Sequence, residues 1–412
     1  MKTVKFFTLG CKVNQYDTQS IRERFLSRGF HEASHPDTAD IYVINTCTVT
    51  ASADQKSRNI IRQCIRENKS AKIIVTGCMA EDPGFTSRVE GVHYVIRKRF
   101  FPEGIRDFSG RTRAFLKVQD GCNNFCSYCA VPLARGRSRS RALKEIITEA
   151  GLLAEKGFKE IVLTGICLGS YGKDLPGKKI SIVHIIKALE SLSGISRIRL
   201  SSIEAGDISG TLISHMKRSE KLCPHFHIPV QSGDDTILKK MNRRYTRAQY
   251  LKLIQRIKRE IPGVSITTDV MVGFPGETRR NFLNTIELIK KILPLRTHVF
   301  PYSPRANTQS SLIQTGYSCE ELKLRLDELS RVSRECSVKF RSECVGKTTD
   351  VLLESREPAH PGFWQGYTGS YIRVIVKMQG NNANYLLPVK LSGLCGDGMK
   401  GIACSGVKKH KN

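Results

Sequence analysis

Negative charge is what this chain has little of: 38 Asp+Glu stand against 66 Lys+Arg, a formal net charge of +28 at pH 7. That imbalance exceeds what solubility requires. It points to a polyanionic partner, nucleic acid first and an anionic membrane surface second. The membrane reading finds no support, because no basic amphipathic helix stands out. No apolar run reaches the roughly 18 residues of a spanning helix, so no membrane partner is expected. The start, Met1-Lys2-Thr3-Val4-Lys5-Phe6-Phe7-Thr8, has too short an apolar stretch for a signal peptide and alternates like a strand. A disulfide scaffold is excluded too. The 14 Cys are spread thinly through 412 residues, whereas disulfide-rich folds are small secreted chains. Reduced, cytoplasmic and partly metal-binding is the reading that fits. The length allows two to four domains of roughly 100–200 residues each.

A fourth ligand is missing where three crowd together. Gly121-Cys122-Asn123-Asn124-Phe125-Cys126-Ser127-Tyr128-Cys129 spells Cys-x3-Cys-x2-Cys, with no further Cys or His close by. A structural zinc ion takes four N or S ligands, and ordinary iron–sulfur sites use four Cys. Three thiolates on one loop suit an iron–sulfur cube whose last iron is left open for a substrate.

Residues 1 to about 96 read as β-α-β-α-β. The strands are residues 4–9, 41–44 and 73–76. Asp17 or Thr18 can cap a helix that runs through Ile21 and Phe25 and stops at Gly29. A second helix spans residues 52–67. This order implies a parallel sheet. Cys11, Cys47 and Cys78 each follow one of the strands, and open α/β sheets bind ligands at that edge. Three thiols separated by 35 and 30 residues therefore converge on one site. Gly10 and Gly77 precede two of them and allow tight turns. Cys64 and Cys336 sit on apolar helix faces and belong to the core. Cys167, Cys223, Cys319, Cys344, Cys395 and Cys404 lack ligand-like spacing and read as structural, although Cys167 follows a strand.

A basic linker over residues 97–113 leads to six strand–helix units, which imply a whole or partial (β/α) barrel. Their strands are residues 114–119, 161–165, 198–204, 225–231, 265–272 and 297–302. Catalytic groups in such barrels sit at the carboxyl ends of strands. The cysteine loop, Gly165, Ser202, Glu204, Gln231 and Asp269 fall there. Gly273-Phe274-Pro275-Gly276-Glu277 lacks the Lys-Ser/Thr of a phosphate loop and reads as a turn on the pocket rim. From about residue 341 the pattern changes to short strands between Gly- and Asn-rich turns, a small β-barrel. Trp364, Tyr367 and Tyr371 interleave there with Arg373 and Lys377, which suits base stacking and phosphate contact. Arg135, Arg137, Arg139 and Arg141 directly follow the cysteine loop and read as a phosphate grip.

Over essentially its whole length the chain resembles the methylthiotransferase family of radical S-adenosylmethionine (SAM) enzymes. Thr8-Leu9-Gly10-Cys11-Lys12-Val13-Asn14-Gln15-Tyr16 and Asn45-Thr46-Cys47-Thr48-Val49-Thr50 resemble the branch acting on threonylcarbamoyladenosine in tRNA. Asp120-Gly121-Cys122-Asn123-Asn124-Phe125-Cys126 and Ala134-Arg135-Gly136-Arg137-Ser138-Arg139-Ser140-Arg141 match the family as well. The resemblance implies an α/β protein of three domains. Residues 1–100 form a parallel-sheet domain with an auxiliary cluster, 111–340 a partial radical-SAM barrel, and 341–412 a TRAM-like barrel that binds RNA. It implies two [4Fe-4S] clusters, one on Cys122, Cys126 and Cys129 and one on Cys11, Cys47 and Cys78. SAM would lie near Gly165, Ser202, Glu204, Gln231 and Asp269. The implied partners are tRNA and a reducing donor of flavodoxin or ferredoxin type. The implied reaction adds a methylthio group to carbon two of N6-threonylcarbamoyladenosine at position 37, beside the anticodon. One SAM methylates a sulfur on the auxiliary cluster, and a second is cleaved to a radical that removes the hydrogen at carbon two. The competing readings are the same chemistry on isopentenyladenosine or on a ribosomal-protein aspartate and, in a different class, a zinc-dependent RNA-binding protein without activity. Two departures touch the pocket rim: Ala306-Asn307 stands where the family usually has Pro-Gly, and Cys167 where another polar residue is commoner.

Overall fold

A computed structural model describes residues 2–34, 36–82, 84–85, 89–97, 104–108, 110–177, 180–314 and 316–404. The linker expected over 97–113 lies partly outside this set. The first unit is a five-stranded sheet of β1 (Thr3–Thr8), β2 (His31–Glu32), β3 (Ile41–Thr46), β4 (Lys72–Gly77) and β5 (Tyr94–Val95), in the order β2-β1-β3-β4-β5. Every pairing is parallel. Alternation along β3 sends Ile41 and Val43 to one core with Ile21, and Tyr42 and Ile44 to another with Ile61 and Cys64. Helix α1 (Lys12–Leu26) thus covers one face and α2 (Ala51–Glu67) the other.

Helix α1 corrects one expectation. Its N-cap is Cys11, and Asp17 and Thr18 lie buried within the helix rather than capping it. Helical periodicity assigns such polar residues to water. Here α1 is clamped between its own sheet and the first strand of the next unit, and both of its faces are covered.

That next unit contains β6 (Arg113–Lys117), the short hairpin pair β7 (Gln119–Asp120) and β8 (Arg139–Ser140), and then β9 (Glu160–Thr164), β10 (Arg197–Leu200), β11 (His225–His227), β12 (Ser265–Val272) and β13 (Arg296–Pro301). The sheets β10-β9-β6 and β11-β12-β13 are joined by parallel bridges at Ile198–Leu222 and Ser202–His227. The result is an open barrel of six strands in chain order. Helices α3 (Val131–Arg135), α4 (Leu143–Glu155), α5 (Ile182–Glu190), α6 (Gly210–Arg218), α7 (Asp235–Lys240), α8 (Arg247–Glu260) and α9 (Arg279–Ile292) alternate with the strands. Helix α1 lies along β6, and α10 (Cys319–Ser342) lies along β13. Leu329, Val332 and Cys336 of α10 are buried against the barrel, as their spacing implies.

The chain ends in a closed barrel of β14 (Thr348–Arg356), β15 (Phe363–Thr368), β16 (Arg373–Lys377), β17 (Leu386–Cys395) and β18 (Gly398–Ala403), in the order β14-β15-β16-β18-β17. The turn between β15 and β16 seals the amino-terminal mouth of the larger barrel. Arg197 donates to Tyr367 O (3.0 Å), and Arg199 donates to Thr368 O (3.0 Å) and Gly369 O (2.8 Å). Tyr371, in a left-handed conformation (φ 65°), lies under the guanidinium groups of Arg199 (4.6 Å) and Arg113 (5.3 Å). The expected base-stacking surface is therefore not one. Trp364 belongs to the core of the small barrel, and Tyr367 and Tyr371 face the junction. Arg373 is paired with Glu357 and Asp397.

Candidate active site

The cysteine loop leaves β7 through Gly121 (φ 74°), where a Cβ would come within 2.1 Å of Arg137 O. Only glycine lets the loop fold back this closely. Cys122 N–H then donates to Gly136 O (3.1 Å), and Cys129 N–H to Cys126 O (3.0 Å). Neighbouring segments hold the loop from outside. Ser127 donates to Met241 O (3.1 Å) and Lys240 O (2.8 Å), Asn242 to Phe125 O (2.9 Å), and Ser310 N–H to Ser127 O (2.9 Å). The Gly273–Glu277 turn is packed rather than open. Its Phe274 is buried and sits edge-on to Tyr128 of the loop, 6.4 Å between centroids.

The three thiols differ. A hydrogen bond from Cys167 draws Cys122 down to about 7 against burial, whereas burial pushes Cys129 up to about 12. Arg243 donates to Cys126 Sγ (3.5 Å) and pairs with Glu204. A cavity of about 510 Å³ opens beside the loop, lined by Asn124, Cys126, Cys167, Glu204, Asp207 and Arg243 among others. Glu204 thus lies where its strand position implied. Gln231 is buried (φ 61°), and its Oε1 has no partner among the described residues, an atom poised for a ligand. Ser202 bridges to His227. Gly165 does a packing job: a Cβ there would lie 2.9 Å from Gln119 Oε1. Asp269 sits inside β12 rather than beyond it and pairs with His227 at 3.2 Å.

Sequence reasoning missed Arg243 and Asp207, and it placed Cys167 among the structural thiols. Cys167 instead accepts from Asn124 Nδ2 (3.5 Å), and its sulfur lies 3.5 Å from Asp207 Oδ2 on the cavity wall. Its position after β9 was the one available signal. Arg243 carries no local signal, because only the barrel's closure brings it to the loop.

The second triad forms at the carboxyl edge of β1, β3 and β4, which are neighbours in the sheet. Cys11 caps α1, Cys47 follows β3, and Cys78 opens the turn after β4. Gly10 (φ 93°) is so close to Cys47 that a Cβ would lie 3.0 Å from its Sγ. Burial first, then the charges of Cys78 and Cys11, push the Cys47 thiol up to about 11, and Arg135 draws it down. Cys11 retains surface exposure, yet surrounding protein raises its thiol too, with Arg135 opposing. The three sulfurs therefore share one electrostatic site. Among the described residues, the trio of ligand atoms all within 4.8 Å is His227, Asp269 and His298. A second cavity, of about 350 Å³, is lined by Cys78, Met79, Ala130, Leu133, Ala306 and Asn307 among others. It reaches from one triad to the residue beside Cys129 and includes the divergent Ala306-Asn307 pair. Arg305 on the same rim spans the two units through Thr48 (2.6 Å) and Asp54 (3.5 Å).

The arginine run is divided. Arg135 is 6% exposed and pairs with Asp120 (2.8 Å) and Asp17 (3.3 Å), while Lys117 also binds Asp17. Burial would raise Asp120, but Arg135 and Lys117 hold it well below the usual carboxylate range. Arg141 is 2% exposed, paired with Glu149 (2.6 Å) and donating to Tyr16 (3.1 Å). Neither can grip a phosphate, because each is the counter-ion of a buried acid. Arg137 and Arg139 are exposed, and the Arg137 guanidinium lies 5.1 Å over the ring of Phe125.

Comparisons with known proteins agree with this layout. A family model described as the Radical SAM superfamily matches residues 116–289, and one described as Uncharacterized protein family UPF0004 matches residues 3–93. The chain is 37% identical to the threonylcarbamoyladenosine tRNA methylthiotransferase MtaB of Bacillus subtilis, over 95% of this chain and 94% of that one. It is 36% identical to the Thermotoga maritima protein of the same name, over 98% and 97%. Identity to a tRNA-2-methylthio-N(6)-dimethylallyladenosine synthase of Pelotomaculum thermopropionicum is 33%, over 95% and 96%. Among solved structures, the radical SAM methyltransferase TsrM of Kitasatospora setae shares the fold, with a TM-score of 0.52 at 13% identity over 89% of this chain and 78% of that one. The chain belongs to the radical-SAM methylthiotransferase family, in the branch of the threonylcarbamoyladenosine tRNA methylthiotransferases.

Proposed function

We propose that this protein places a methylthio group on carbon two of N6-threonylcarbamoyladenosine at position 37 of tRNA. The observation that carries the reading is the cavity shared by Cys78 of one triad and Ala130, next to Cys129 of the other. Cys122, Cys126 and Cys129 would hold the SAM-cleaving [4Fe-4S] cluster, and Cys11, Cys47 and Cys78 an auxiliary one. Three thiols without a fourth, together with the unpartnered Gln231 Oε1, suit a cluster that keeps an open iron beside a SAM pocket. When bound, such clusters supply the electron and the sulfur needed at an aromatic C–H carbon, which has no acid–base route.

The chain's own residues do the positioning. Arg243 holds Glu204 at the cavity wall and touches Cys126. Glu204 and Gln231 offer acceptors to SAM. Arg135 offsets charge accumulated on Cys11 and Cys47. Phe125 with Arg137, and Arg139 beside them, form the RNA-facing rim, where a base splayed from the anticodon loop can stack. The last barrel, TRAM-like in its strand pattern, adds charge without a stacking face. Among the described residues no helix is long and apolar enough to cross a membrane. A cytoplasmic setting, with a flavodoxin- or ferredoxin-type donor, matches the reduced thiols.

Nucleoside mass spectrometry of tRNA from a deletion strain tests the reading. The expected result is loss of the methylthio form of threonylcarbamoyladenosine. Loss of the isopentenyl counterpart instead would assign the other branch. Replacing Cys11, Cys47 and Cys78 by Ala should abolish methylthio product while reductive SAM cleavage continues; persisting product rejects the auxiliary-cluster assignment.

A further inference from the structure

The cavity that Cys78 and Ala130 share has two guanidinium groups on its wall, those of Arg58 on α2 and of Arg305 in the segment after β13. Both reach one acid. Asp54 lies 2.6 Å from Arg58 Nη2 and 3.5 Å from Arg305 Nη2, and its side chain is 14% exposed. Arg305 Nη2 also donates to Thr48 Oγ1. Much of the donor capacity is left over. A guanidinium has five N–H donors, and here each Nη1 and each Nε is without a hydrogen-bond partner among the described residues. Both Nε atoms are buried as well. Two cations therefore share one carboxylate, and one positive charge is unmatched. Glu81 and Asp82 also line the cavity, but Asp82 is exposed and accepts from Gly84 N–H (2.9 Å), and Glu81 is not free either. No hydrogen bond or ion pair joins either acid to Arg58 or Arg305 among the described residues.

Donors held away from water without acceptors carry a desolvation cost until an anion arrives. The rest of the wall says what kind of anion. Met79, Phe85, Val89 and Leu133 make it largely apolar, whereas a backbone phosphate is held by polar and basic groups at the surface. The occupant that fits is a small organic acid whose body packs on the apolar side while its carboxylate meets the two forks. Resting on the proposed reaction, the threonylcarbamoyl substituent is such a group: it ends in a carboxylate and a methyl-bearing carbinol. An isopentenyl substituent would pack on the apolar wall and leave the guanidinium donors unmatched, the kind of mismatch that a polar site rejects strongly. We propose that Arg58 and Arg305 bind the carboxylate of the threonylcarbamoyl group in this cavity, and so set specificity for the acidic nucleoside. Cys78 lines the same cavity, so the contact also brings the modified base to the edge where the auxiliary triad lies.

The test uses the holoenzyme and two anticodon stem-loop RNAs. One carries threonylcarbamoyladenosine, and the other carries its carboxylate methyl ester. Wild type should prefer the acid by about tenfold or more in kcat/KM and in direct RNA binding, the range expected for a charge-assisted hydrogen bond. Arg58→Met should bring the ratio close to one, and Arg58→Lys, which keeps the charge and loses the fork, should restore part of it. Arg58 is 37% exposed on its helix, and Asp54 keeps Arg305 when Arg58 is replaced, so no acid is stranded. The ratio is internal to each variant, so a general loss of folding or of cluster loading does not mimic it. If Arg58→Met is too poorly loaded to turn over, direct RNA binding gives the same ratio, and Arg305→Met should narrow it likewise. An unchanged ratio in Arg58→Met overturns the proposal. So does an equal loss of affinity for acid and ester, which would mean that the arginines grip a backbone phosphate. In both cases methylthio product on threonylcarbamoyladenosine would still form, so the reaction itself would stand. A wild type that ignores threonylcarbamoyl RNA and accepts isopentenyl RNA overturns the reaction, and this proposal with it.

Discussion

Arg135 and Arg137 are two positions apart and have opposite fates. Arg135 neutralises Asp120 and Asp17 out of water, whereas Arg137 lies over Phe125 at the surface. Removing one partner of a buried ion pair leaves a charge without compensation. Arg135→Ala should cost about 3–5 kcal/mol in denaturant unfolding. Arg137→Ala should change stability by less than about 0.5 kcal/mol and instead weaken tRNA binding, read by titration at fixed salt. Equal stability losses would show that both are structural. In the sequence the four arginines form one even run. What separates them is which carboxylates the fold brings near: Asp120 on β7 and the distant Asp17 on α1 for Arg135, and Glu149 on α4 for Arg141.

The turn between β15 and β16 plugs the larger barrel from below, and Glu160 at the start of β9 is its anchor. Glu160 pairs with Arg199 (2.7 Å) and Arg197 (2.9 Å), and both arginines donate to the carbonyls of the plug. Burial alone would raise the Glu160 carboxyl, but Arg199 and Arg197 hold it down to about 2. The sign follows from that direction. The contribution is present in full above the ordinary value of 4.5 and is lost as pH falls from there to about 2. A shift of this size corresponds to about 3 kcal/mol. Unfolding free energy measured across that window should fall more steeply in the native protein than in Glu160→Gln. Parallel curves would mean the arginines do not depend on this carboxylate. Strand periodicity identifies β9 and β10 without difficulty, whereas β15 does not read as a strand. Their docking was illegible, because it joins a strand start to a turn some 170 residues later through backbone carbonyls, which every residue carries.

Across the whole molecule, positive charge outweighs negative by 28. Much of the arginine near the site is internal, so the RNA footprint rests on the remaining exposed cations. Binding by 6–10 phosphate contacts would lose about 10³–10⁵ in affinity between 50 and 200 mM salt. A filter-binding series should show that steep slope, and a flat one would reject an electrostatic tRNA interface. The sheet unit lies over the open side of the six-strand barrel, and the small barrel closes the opposite end. A cavity lined by Cys78 and Ala130 lies where the first two units meet, while the turn of the small barrel packs on Arg197 and Arg199.

The sequence by itself determined the parallel sheet, the six barrel strands, the closing β-barrel and both cysteine triads. Each rests on information local to one segment: strand alternation, helix spacing, or a thiol just past a strand end. Tertiary structure alone decided which charges are internal, where Tyr371 and Trp364 point, and that Arg243 and Cys167 face the site. Those outcomes depend on partners from distant segments and on two units sharing α1 as a common wall. A helix buried on both faces leaves no amphipathic signature to read.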